Sequence, residues 1–394
     1  MSLSVYPERP LLTGFAGAIA MAAAMGFGRF FFTPVLPGMM SGIPLSAAEA
    51  GLIAAGNFAG YLAGALLASQ SWAAGRERGW ALGALVATAL LLLAMALTTS
   101  LPLFILIRFL AGLASAFAMI FTTSIVLPRA SGRPSVQAVH FGGVGAGIAL
   151  SSVLAFLIQR AAGDAAHGWR MDWLAGAALV LLMVFWVARH LPPPMAGRQG
   201  GAEPPMRWTR PLVLLTLSYG LFGFGYVVTA TFLVAIVRMA AAGPAVEAGA
   251  WLVTGLAAAV SLFLLRPLAA RIGLGRIYLL CLLLEACGVL ASVLMPPVTG
   301  ALLGGLLLGL TFMTVTAYGL QIARALAPES QRRALALMTA AFGTGQILGP
   351  LVAGWATQWS GDFRLASGIA AVFLLLAAVL SVPLARPRAV TGRG

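Results

Sequence analysis

Gly26-Phe27-Gly28-Arg29-Phe30-Phe31-Phe32-Thr33-Pro34-Val35-Leu36-Pro37 sets a permanently charged guanidinium among glycines and phenylalanines, in the outer half of the first long apolar run. A similar stretch returns as Gly223-Phe224-Gly225-Tyr226-Val227-Val228-Thr229-Ala230-Thr231-Phe232, at an offset of 197 residues, with a tyrosine in the place of the arginine. The register extends further. Ala48-Glu49-Ala50-Gly51 matches Val246-Glu247-Ala248-Gly249, Gly112 falls on Gly309, and Gly145-Ala146-Gly147 falls on Gly343-Thr344-Gly345, at offsets of 197 or 198. Single glycine matches carry nothing in a chain with 47 glycines; their constant offset does. The pattern reads as two similar halves whose symmetry is broken at Arg29.

Water is not the main solvent of this chain. Of its 394 residues 61% are hydrophobic and 9% charged, with mean hydropathy +0.98, where a soluble domain carries about 25% charged residues. The net charge of +14 is not gathered on a polar domain, so no nucleic-acid partner is expected. All 24 basic residues are arginine, which removes the P-loop lysine and leaves a gradient or a partner chain as the energy source. Cys281 and Cys287 share one apolar segment without a histidine or carboxylate at ligating spacing, so they read as small apolar residues and no metal site is expected. Three histidines on separate segments and no nucleophile–base pair leave no catalytic residue, enzyme or cofactor to expect. The run after Met1–Pro10 is too long for a signal-peptide core and reads as a retained helix.

A membrane-spanning helix needs about 20 largely apolar residues, and twelve runs qualify: 11–38, 48–70, 80–99, 102–127, 137–159, 172–191, 211–238, 247–267, 276–295, 298–322, 333–359 and 364–386. Turn chemistry separates them at Pro37-Gly38, Pro128–Gly132, Pro296-Pro297 and Ser360-Gly361. The long polar interruption between the sixth and seventh runs divides the chain into a six-helix bundle over 1–191, a cytoplasmic linker over 192–210 and a second six-helix bundle over 211–394. Eighteen arginines, among them Arg76, Arg78, Arg129, Arg133, Arg266, Arg271, Arg324 and Arg332, fall on one side if the N-terminus is cytoplasmic; Arg160, Arg170, Arg238 and Arg364 fall on the other. That bias sets a multi-pass topology with both termini in the cytoplasm.

Two parallel six-helix repeats are the architecture of major facilitator transporters, and the residues resemble that superfamily over the whole chain. The opening stretch, Tyr219–Tyr226 and His140-Phe141-Gly142-Gly143-Val144-Gly145 are similar to its YbfB-like branch, while Arg108-Phe109-Leu110-Ala111-Gly112 resembles its helix-four signature. The loop Gly75-Arg76-Glu77-Arg78 keeps only part of the superfamily's pattern, and Gly145–Leu150 lacks the proline of proton-coupled antiporters. The resemblance implies an all-α membrane protein of twelve helices in two pseudo-symmetric bundles, in a bacterial inner membrane. It implies a secondary transporter, symporter or antiporter, working by alternating access as a monomer on a small organic solute. An exporter of hydrophobic compounds and a non-transporting membrane sensor on the same fold are the competing readings.

At 1.5 Å per residue, Arg29 lies about 12 Å and Arg108 about 10 Å below the outer ends of their helices, on helices that line the central cavity in the resembled fold. Guanidinium forks suit carboxylates and phosphates, so Arg29 and Arg108 read as anchors for an organic anion. The alternative is that they hold neighbouring helices through backbone carbonyls or through Asp172 or Glu49. Phe30, Thr33, Asn57, Tyr226 and Gln346 complete the expected solute site. Coupling to H+ requires a titratable group; His140, Glu285 and Glu49 are the candidates, with Glu285 on a peripheral helix and Glu49 and Glu247 at helix N-termini where a carboxylate is favoured. Small residues at four-residue spacing, Gly56/Gly60/Gly64, Gly143/Gly147/Ser151 and Gly345/Gly349, lie on helices expected to form the seam between halves, two against eleven and five against eight.

Overall fold

A computed structural model of the chain describes residues 10–130, 133–162, 168–195 and 203–385. The N-terminal run before Pro10, the middle of the linker, and Arg9, Arg198, Arg386, Arg388 and Arg393 lie outside these residues. Twelve helices are long and apolar enough to cross a membrane, and no strand occurs among the described residues. They are α1 (Pro10–Gly42), α2 (Ala47–Ala68), α3 (Glu77–Leu97), α4 (Leu101–Arg129), α5 (Pro134–Ala162), α6 (Gly168–His190), α7 (Arg210–Met239), α8 (Pro244–Ile272), α9 (Leu274–Leu294), α10 (Pro297–Leu326), α11 (Gln331–Ser360) and α12 (Arg364–Ala385). The bundle end that carries the α6–α7 connection is the linker face, and the other end is the distal face.

Two helices run past the prolines at which they were expected to end. Helix α1 does not stop at Pro37-Gly38 but runs through Pro37 to Gly42, and α8 runs past Pro267 to Ile272. A proline costs an internal helix its N–H bond, yet α1 continues because its last turns stay buried between the two helix sets, with Val35, Leu36 and Met39 fully covered. Glu49 builds the start of α2: its carboxylate accepts from the Ser46 N–H (2.8 Å), while the Ser46 hydroxyl accepts from the Glu49 N–H (3.2 Å). This is a capping box. At the linker face the Glu203 carboxylate caps α11, accepting from the backbone N–H groups of Arg332 (3.0 Å) and Arg333 (3.2 Å), and these donors hold it below the ordinary glutamate pKa.

The first six and last six helices meet along two lines, α2 against α11 and α5 against α8. The glycine stripes do a different job from the one expected of them. Gly56, Gly60 and Gly64 face Ile105, Phe109 and Leu113 of α4; Gly143 and Gly147 face α1; Gly345 and Gly349 face α7. Each stripe therefore welds one six-helix set internally. Four-residue spacing marks a close approach and does not say to which neighbour. The seam itself uses other glycines, Gly51 and Gly354 between α2 and α11, and Gly145 and Gly255 between α5 and α8.

Candidate functional site

The stretch Ala22–Phe30 of α1 is wound as a π-helix. Such widened turns are rare and shift the backbone carbonyls off the α-helical ladder. Small residues permit the winding here: a side chain at Gly26 would strike the backbone of Gly147 on α5. Two of the displaced carbonyls are taken up from α4. The Arg108 guanidinium donates to Gly28 O (3.1 Å) and Arg29 O (2.7 Å), and the Asn57 amide donates to Arg108 O (3.0 Å) and Gly28 O (3.4 Å). Arg108 and Asn57 are thus committed to the backbone around Arg29, and the Arg108 guanidinium also stands 5.2 Å over the Phe32 ring.

Arg29 is placed differently. It is 4% exposed, and its Nε and Nη2 have no hydrogen-bond partner among the described residues. Its guanidinium carbon stands over Tyr61 (4.1 Å), Phe58 (4.8 Å) and Phe30 (5.4 Å). Phe58 and Tyr61 are three residues apart on α2 and so share a face. Aromatic faces attract a cation by about 0.5–2 kcal/mol each, which partly offsets an unpaired charge costing a few kcal/mol in a membrane interior. The result is a buried cation held in place with two donors unused.

Tyr226, the repeat counterpart of Arg29, stands on α7 and lines one cleft with Phe30, whose ring lies 5.4 Å from the Arg29 guanidinium carbon. The Gln346 amide donates to the Tyr226 hydroxyl, leaving Gln346 Oε1 buried and unpartnered. The Tyr226 ring lies parallel to Phe312 (5.9 Å between centroids) and Phe342 (5.6 Å), and Phe30 meets Phe312 (6.1 Å) and Trp251 (6.4 Å) edge-on. Between Phe30, Tyr226, Trp251, Thr254, Leu308 and Phe312 runs a cleft too narrow to admit a water molecule. Helices α1, α7, α8 and α10 therefore close on one another through rings. The Thr33 hydroxyl donates to the carbonyl of Ala230 on α7 (2.6 Å), a residue that lines this cleft, and so joins two positions of the repeat directly.

Three further groups carry titratable chemistry. Glu285 on α9 is buried, accepts from the Thr311 hydroxyl on α10 next to Phe312, and leaves Oε1 unpartnered. His140 is buried within the first six helices, its Nε2 bonded to the Thr123 hydroxyl (3.0 Å) and its ring pressed against Gly17. Glu49 is occupied by its cap. Arg238, Glu247 and Asp172 form a cluster near the distal face with Gln159, which was not singled out in the sequence. Arg238 of α7 grips Glu247 of α8 through both carboxylate oxygens (3.0 and 2.9 Å from Nε) and reaches Gln159 of α5 (3.4 Å), which donates to Asp172 of α6 (3.2 Å). Glu247 is thus an ion-pair partner as well as a first-turn carboxylate. Gln159 was legible as an amide in an apolar run, but nothing in the chain pairs it with Arg238 before the helices are assembled. Among the described residues no group of three or more His, Cys, Asp or Glu side chains could hold a metal ion.

Residues 21–382 match the family model described as the uncharacterised MFS-type transporter YbfB. No curated protein matches the chain significantly. Among solved structures, the nucleoside transporter NupG is similar with a TM-score of 0.70 at 15% identity, covering 94% of this chain and 98% of that one. A bacterial homolog to the human lysosomal transporter Spinster, in an inward-facing and unoccupied conformation, is similar with a TM-score of 0.73 at 15% identity, covering 96% and 98%. Its inward-facing and occupied form gives 0.67 at 15%, covering 96% and 97%. At such identities the likeness speaks for the fold, which is the major facilitator fold.

Proposed function

The chain belongs to the family of the MFS-type transporter YbfB, and from that premise we propose that it is a gradient-coupled secondary transporter of a small organic anion, anchored at Arg29. The observation that carries this reading is the buried guanidinium with two unused N–H donors at the meeting of the two helix sets. A charge inside a membrane protein marks a pathway or an internal pair; Tyr61 engages the Arg29 guanidinium but leaves two donors unused, and an anionic solute would supply their acceptors. Arg108 and Asn57 are positioning residues in this reading: they hold the carbonyls of the π segment and so fix where Arg29 stands.

Alternating access then means that residues 1–191 and 211–394 rock as two bodies about the cleft, joined by the 192–210 linker. The arginine bias supports a cytoplasmic linker face with both termini inside a bacterial inner membrane. The cross-links Thr33–Ala230, Ser152–Ala248 (2.7 Å) and Arg238–Gln159 all lie toward the distal face and act as its latch. Proton coupling is assigned to Glu285. It is buried with Oε1 unpartnered, and Thr311, which donates to its other oxygen, precedes the ring that stacks on Tyr226. The test is flux in proteoliposomes: uptake of a small carboxylate driven by an imposed proton gradient in the parent protein, and none in Arg29→Gln. Binding without flux in the parent would favour the sensor reading, and equal flux in both would remove the anion site.

A further inference from the structure

Resting on the organic-anion reading of Arg29, we propose that the solute is an aromatic monocarboxylate bearing a hydrogen-bond donor beside its carboxylate, of the 2-hydroxybenzoate kind. The site has two ends of different chemistry. At the polar end stand two unpartnered donors, Arg29 Nε and Nη2, and two unpartnered acceptors, Gln346 Oε1 and Asn57 Oδ1, each on a side chain at least nine-tenths buried. Tyr226 ties Gln346 to this end, since its hydroxyl accepts from Gln346 and its ring lines one cleft with Phe30, which stands against the Arg29 guanidinium. Two donors on a planar fork call for a carboxylate. Unpaired acceptors on the same site call for an O–H or N–H on the solute, because a buried carbonyl left unpaired is costly.

The other end contains no charge. The cleft below the polar end is bounded by Phe30, Tyr226, Trp251 and Phe312, and the parallel rings of Tyr226 and Phe312 present flat faces. Flat aromatic walls favour a planar body over a branched or hydroxylated one. Their one buried donor without a partner is Trp251 Nε1, which can serve a single polar substituent on the ring but not the several hydroxyls of a polyol. The cleft is closed to water in this conformation, so a solute enters only when the helix sets part.

The purified full-length protein is titrated with 2-hydroxybenzoate, benzoate, benzamide, lactate and succinate, with binding read as thermal stabilisation and as counterflow in proteoliposomes. The expected order is 2-hydroxybenzoate tightest, benzoate roughly five- to tenfold weaker for the lost donor, and benzamide weaker than benzoate by roughly ten- to a hundredfold for the lost charge. Gln346→Ala brings 2-hydroxybenzoate and benzoate to equal affinity while benzoate still binds. Lactate or succinate binding in place of the aromatic acids overturns the aromatic class and leaves the anion reading standing. Benzamide binding as tightly as benzoate overturns the anion reading itself. Absence of binding by both aromatic acids overturns the class, and the comparisons among ligands are made on the unaltered chain, so the folding of Gln346→Ala does not decide them.

Discussion

Gly51→Ala should pry the distal face open. Gly51 sits in the first turns of α2, and a Cβ built there falls well inside the carbonyl oxygen of Pro350, with Pro350 C at 3.1 Å and Gly354 Cα at 3.4 Å. All three atoms are α11 backbone, so no side chain can swing aside. Roughly 1 Å of separation between the helices would be needed to restore ordinary contact in a close-packed seam, and overpacking of this kind costs about 1–3 kcal/mol. That cost falls only on the conformation in which α2 and α11 touch at the distal face. It therefore moves the equilibrium toward the distal-open state by about five- to 150-fold. The repeat supplies the control: Gly249, the counterpart of Gly51 on α8, meets nothing closer than a Leu302 methyl at 3.7 Å, so Gly249→Ala should be silent. Spin labels at Ser41 and Ser360, both near the distal face, on a background lacking Cys281 and Cys287, report the separation. Identical distance distributions for the two alanine variants would refute the reasoning.

Gln159→Leu removes the amide between Arg238 and Asp172; because Arg238 is partly exposed, the loss is worth no more than about 1 kcal/mol, and labelling of Ser41→Cys by an impermeant maleimide should quicken up to about fivefold. Arg108→Ala strips the charged donor from Gly28 O and Arg29 O, which should cost about 3 kcal/mol and lower the melting temperature by several degrees, with Arg108→Lys recovering part of it. Glu285→Gln keeps an acceptor for Thr311 but cannot carry a proton, so counterflow should persist while gradient-driven uptake and its pH dependence are lost; unchanged pH dependence would remove Glu285 from the coupling role.

Helix number and placement were readable because twenty-residue apolar runs leave little choice in a bilayer, and the 197-residue offset fixed which helices correspond. Arg29 announced itself as a charge among phenylalanines. What the chain does not display is which neighbour a surface meets. The stripe at Gly56, Gly60 and Gly64 looked like a seam and proved to be the α2–α4 weld, while Gly51 and Gly354 let α2 and α11 meet. The π winding of Ala22–Phe30 has no sequence period of its own; it follows from α4 offering Arg108 to the freed carbonyls. Arg29 and Arg108 read alike in the sequence, and their difference lies in partners that only tertiary assembly supplies.

The most direct measurement compares the melting temperature of Arg29→Gln with that of the parent, each with and without a panel of aliphatic and aromatic carboxylates. Since Nε and Nη2 of Arg29 bond nothing among the described residues, the variant should melt no lower than the parent, and the stabilisation that a carboxylate gives the parent should vanish. A variant that melts several degrees lower, as Arg108→Ala should, yet is still stabilised by the same carboxylate would show that Arg29 holds the fold and that the anion binds elsewhere.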